Sequence, residues 1–94
     1  MVDQPDVTQE EARAAQPRIV EAVFASANVG GMMQGMKAPL AKLIERAMSE
    51  AVEYAYSHGI TDPEQVRDLM QTARKTIKER YAKAVAEATR NLAG

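Results

Sequence analysis

The sequence has no cysteine and no tryptophan, a single histidine, and only four aromatic residues, three Tyr and one Phe, among its 94 positions. Each scarcity closes a class of chemistry. Without cysteine there is no disulfide framework, no thiolate metal site and no thiol nucleophile, a composition suited to a reducing cytoplasm. The lone histidine, His58, and the scattered carboxylates offer neither H-x-x-x-H nor E-x-x-H spacing, so no metal or other cofactor is expected. His58 falls at a predicted helix end and is read as a capping or core residue rather than a general base. Gly30-Gly31 and Gly35 lack both the lysine-serine ending of a phosphate loop and a preceding strand. No set of inward-facing Arg and Lys, such as small helical enzymes use, falls on the core stripes, and an enzyme is not expected. Nor does any apolar run approach membrane-spanning length, and Met1 to Asp6 has neither a basic nor an apolar leader segment. The expectation is a soluble cytoplasmic protein used as synthesised.

What remains is a chain built from Ala, Leu, Ile, Val and Met, mostly good helix formers. That points to an all-α fold. Ninety-four residues make one domain near the size at which burial becomes marginal, and oligomerisation is a common remedy. The net charge is −1, but it is unevenly laid out. Residues 1–28 hold two basic side chains against five acidic ones, residues 29–62 three against four, and residues 63–94 seven against four. An acidic front and a basic back attract one another on folding, or offer the basic end to an acidic partner.

The chain is organised around the stretch from Tyr56 to Gln65. Gly59 falls where the preceding apolar periodicity stops, as a left-handed C-cap would, and Ile60 is placed to fold back onto the last turn. Asp62-Pro63 then supplies a cap oxygen and a first helical residue that needs no N–H, with Gln65 completing a D-x-x-Q capping box. Two helices meet here at a corner.

Upstream, residues 1–7 are polar, contain Pro5, and are expected to form a disordered tail ahead of a single helical domain over 8–94. Thr8-Gln9-Glu10-Glu11 has the T-x-x-E form that opens a helix, expected over about 9–27. Pro17 lies inside it, where proline costs about 3 kcal/mol. The alternatives are a kinked helix, or a short first turn followed by a second helix opening at Pro17. Beyond it, Ile19 and Val23 on one face and Val20 and Phe24 beside it form a wide apolar arc. The stretch from Asn28 to Pro39 holds three glycines and Met32, Met33 and Met36. It reads as a loop, either a plastic docking segment or a plug for the end of the bundle.

The second helix, expected over 39–58, places Leu40, Leu43, Ile44, Ala47, Ala51, Tyr54, Ala55 and His58 in one arc. Met48, Val52 and Tyr56, spaced i, i+4, i+8, form a second stripe rotated toward the polar side. The third helix, expected over 63–92, carries Val66, Met70, Ala73, Ile77, Tyr81, Ala84, Ala88 and Leu92 close to an eleven-residue repeat, so one stripe faces inward along a nearly straight helix. About thirty residues give ~45 Å against a compact domain of ~32 Å. The expected architecture is a three-helix bundle with this long helix packed antiparallel on the central one. Its far end, with Val85, Ala88 and Leu92, is left for the first helix or a second subunit to cover.

These features favour a non-enzymatic interaction module, a self-associating adaptor or a regulator that binds another protein, with a homodimer the natural assembly. Met32, Met33, Met36, Met48, Val52 and Tyr56 are the expected contact residues. The alternative is a nucleic-acid-binding regulator using Arg67, Arg74, Lys75 and Lys78, a basic flank of the last helix. The corner shares with a helix-turn-helix the spacing of Ala55 and Gly59. It departs from that motif at Gln65, where a buried Val or Ile belongs, and in the negative charge of Asp62 and Glu64.

Overall fold

The structure, a computed structural model, describes residues 5–34 and 40–93, with side chains over 5–26 and 40–90. It consists of α1 (Gln9–Gln34), α2 (Leu40–Ser57) and α3 (Pro63–Ala93), each packed on both others. The molecule is elongated, 58 × 22 × 17 Å with a radius of gyration of 15.3 Å. A compact domain of this length has ~12 Å.

The start of α1 is fixed by the capping box. Glu11 N–H donates to Thr8 Oγ1 at 3.0 Å and Thr8 N–H donates to Glu11 Oε1 at 2.7 Å. The helix then runs through Pro17 as one element, so a separate helix opening at Pro17 is not what forms. It also continues past Ala27 to Gln34, and this corrects the expected loop from Asn28 onward. Glycine lowers helix propensity by only about 1 kcal/mol per residue, a cost that Gly30 and Gly31 do not make prohibitive. Met32 and Met33 are therefore helical, although their side chains, like all of Met36, lie outside what the structure describes.

The corner forms as the sequence demands on its α2 side. Gly59 has φ 82°, Gly59 N–H donates to Tyr56 O at 3.2 Å, and Ile60 N–H donates to Ala55 O at 2.8 Å. This is a Schellman closure, and it turns Ile60 inward to 1% exposure. On the α3 side the expected side-chain box does not form. Val66 N–H donates to the backbone carbonyl of Asp62 at 2.9 Å, and among the described residues neither the Asp62 nor the Gln65 side chain makes a capping bond.

One apolar cluster joins the three helices: Ala12, Val20, Val23 and Phe24 from α1, Leu43, Ala47, Ala51 and Ala55 from α2, Ile60 from the corner, and Val66, Leu69, Ala73 and Ile77 from α3. On α2 three of the four buried positions are alanines at zero exposure, which lets a neighbouring axis approach toward the lower end of the usual ~8–10 Å spacing. Leu69 is fully buried, whereas Met70, assigned to the inner stripe from sequence, is half-buried at its edge. A helix with two neighbours needs a wider apolar arc than one stripe provides. Gln16 is the exception inside: fully buried, its Nε2 donates to Ala12 O at 3.0 Å while Oε1 has no partner among the described residues.

Candidate functional site

Polar groups tie the front of α1 to α3 and thereby decide which charges remain free on the surface. Gln9 Nε2 donates both to Gln65 O at 3.0 Å and to Asp68 Oδ2 at 2.9 Å, and Arg13 Nε reaches the same carboxylate oxygen at 2.6 Å. Further along, Arg80 Nε lies 2.9 Å from Glu21 Oε2, with its guanidinium carbon 4.3 Å from the centre of the Phe24 ring. Gln9, Arg13 and Glu21 thus meet Asp68 and Arg80 in ascending order along both helices, so α1 and α3 run in the same direction. The acidic front and basic back of the sequence do meet, through Glu21 and Arg80. At the other contact the signs are reversed, because the cation Arg13 comes from α1 and the carboxylate from α3.

The Gln9 amide, followed by the Arg13 guanidinium, holds the Asp68 carboxyl below its ordinary value, against a smaller upward push from partial burial. A lowered folded-state pKa means that this carboxylate stabilises the fold above the unfolded value of about 4 and loses that contribution as pH falls through the lower folded value. Asp68→Asn should therefore flatten the acid limb of the stability curve below about pH 4. Urea midpoints measured from pH 6 down to pH 2 check this; an acid limb identical to that of the parent would contradict it. The effect is small, because Arg13 and Asp68 are 51% and 37% exposed and water screens them.

Within the stretch 1–7 expected to form a disordered tail, Asp6 and Val7 make contacts at the corner. Asp6 N–H donates to His58 O at 3.0 Å, Asp6 Oδ1 lies 2.6 Å from His58 Nδ1, and Val7 packs against the core. The His58 ring in turn lies 4.2 Å from that of Tyr54, centre to centre. His58 is thus engaged from two sides. These partners of Asp6, Gln9, Arg13 and Glu21 were not signalled in the sequence, since they pair residues more than fifty positions apart.

The expected contact residues fall on two separate surfaces. Met48 and Val52 are half-buried on α2, Val52 packing against the core, and Tyr56 at the end of the same stripe is 59% exposed. The stripe is thus partly core, and only its Tyr56 end stands clear. On α3, Arg67, Arg74, Lys75 and Lys78 are all exposed and make no ion pair among the described residues. Arg74, Lys75 and Lys78 line an open depression of about 580 Å³ together with Asp68, Gln71 and Thr72; Arg67 lies outside it. No group of three or more His, Asp or Glu is clustered for a metal ion among the described residues, and no described helix is long and apolar enough to cross a membrane. No protein-family model, curated protein or solved structure matches the chain.

Proposed function

We propose that the protein is a non-enzymatic interaction module, presenting helix faces to another protein or to a second copy of itself, with a homodimer in the cytoplasm as the simplest form. The observation that carries this reading is Tyr56, the largest exposed aromatic side chain, at the open end of the Met48–Val52–Tyr56 stripe. Amphipathic aromatics of this kind are enriched at interface centres. The uncovered end of α3, where Val85 is 40% exposed, supports the same reading. Two finer features belong with it. The short connection from Ser57 to Pro63 favours α3 lying antiparallel to α2. Pro17 has no N–H for the Arg13 carbonyl and so favours a bend in α1.

Because Val52 is partly core, Tyr56→Glu is the cleaner test. Light scattering on a sizing column over a tenfold concentration range should show the parent as a dimer and Tyr56→Glu as a monomer of unchanged helicity. A parent that is monomeric throughout would exclude self-association and leave only a different protein as partner. The competing reading, a nucleic-acid-binding regulator, draws on the exposed Arg67, Arg74, Lys75 and Lys78. Phosphate contacts would give a steep dependence of binding on salt, whereas an apolar helix face gives a shallow one.

A further inference from the structure

The outer face of α3 repeats the step pattern of its inner face. Arg67, Gln71, Arg74, Lys78, Ala82 and Val85 follow one another at steps of four, three, four, four and three, and all six are exposed. Such steps keep side chains in register along a straight helix, so this is a second, exposed stripe, turned about 100° from the inner one. It is ~27 Å long from end to end at 1.5 Å per residue. Lys75 lies beside it and shares the depression with Arg74 and Lys78.

The depression contains one carboxylate, Asp68, which already accepts from Gln9 and Arg13 across to α1. The Thr72 hydroxyl is likewise engaged, donating to Asp68 O at 2.9 Å. What faces outward is three cations and the Gln71 amide, followed by the apolar pair Ala82 and Val85. That sequence of groups selects a ligand. No aromatic side chain lies on the stripe: Phe24 is buried in the core, Tyr54 and Tyr56 stand on α2, and Tyr81 packs against the core. A single-stranded nucleic acid would therefore lack the stacking that ordinarily contributes ~1–3 kcal/mol per base. A phosphate backbone sets only sugar and base edges, not a continuous apolar face, against Ala82 and Val85.

An acidic helix has both. We propose that the face of α3 from Arg67 to Val85 receives an acidic amphipathic helix of a partner protein, its carboxylates over Arg74, Lys75 and Lys78 and an apolar side chain over Val85. The proposal rests on the interaction-module reading only in taking the ligand to be protein, since the surface is distinct from the α2 stripe.

The test uses the full chain and a fluorescein-labelled helical peptide of about 20 residues, long enough to span the ~27 Å. It carries Glu along one face and Leu at the Val85 end. A labelled oligothymidylate of similar length is the comparison. Fluorescence anisotropy should show saturable peptide binding, weakened about tenfold by Lys75→Glu/Lys78→Glu, two reversed contacts of several tenths to 1 kcal/mol each. Val85→Asp should weaken it at high salt as well as low. Tyr56→Glu should leave it unchanged, so that failure of the α2 surface and failure of this one are read separately. Circular dichroism of each variant establishes that helicity is retained. Absence of saturable peptide binding, indifference to the double charge reversal, or tighter binding of oligothymidylate than of the peptide would each overturn the proposal.

Discussion

Replacing Ile60 by alanine is expected to cost about 2–5 kcal/mol, the range for truncating a fully buried isoleucine. In a chain of this size that corresponds to a fall in Tm of at least roughly 10 °C. Ile60 is 1% exposed although it stands in a five-residue connection, because the Schellman closure at Gly59 aims it back between the helices. Its side chain belongs to the same apolar cluster as residues of all three helices. Alanine leaves the backbone bonds of the corner intact, so the experiment separates the turn from the plug. Thermal and urea unfolding followed by circular dichroism measure it. A loss below about 1 kcal/mol would mean that the hydrogen bonds of the corner, not the side chain, hold α2 to α3.

The second large effect has the opposite sign. Gln16→Met is expected to stabilise the protein by about 1–2 kcal/mol, the desolvation cost of a buried polar atom left without a partner. The Gln16 side chain is fully buried, and its Oε1 accepts no hydrogen bond among the described residues. Its Nε2 gives a hydrogen bond to Ala12 O, a carbonyl that also receives the backbone N–H of Gln16 within the helix, so removing the amide orphans nothing. Methionine fills a similar volume with flexible apolar atoms. Urea midpoints of the two proteins decide the matter. An unchanged or lowered midpoint would show that a buried water completes the amide and that the group is satisfied after all.

Local chemistry in this chain is legible from sequence, and pairing across the fold is not. Gly59, Ile60, Thr8 and Glu11 act over three to five residues, and the sequence reading placed each where it acts. The helix through Gly30 and Gly31 was missed because propensity is a weak prior that neighbouring turns override. Leu69 was missed in favour of Met70 because one periodic stripe cannot tell how many helices a third helix must face. The Gln9–Arg13–Asp68 cluster could not be read at all, since no spacing rule links residues on different helices. That cluster matters to the α3 surface. Asp68 lies one residue beyond Arg67 in the sequence, yet in the fold it faces a cation from α1.

The same cluster joins parts of the chain that lie far apart in sequence. Five residues separate α2 from α3, whereas the polar contacts that dock α1 on α3 join positions 55 to 59 apart. Loop-closure entropy grows as the logarithm of length, so a direct first contact between α1 and α3 costs about 2 kcal/mol more than closing the corner. Contacts between α2 and α3 across that short connection therefore close at the lower entropic cost, with Ala47, Ala51 and Ala55 buried on the α2 side. α1 supplies Val20, Val23 and Phe24 to close the remaining side of the interior, so the side of the core it covers is held to α3 by the contacts of longest range.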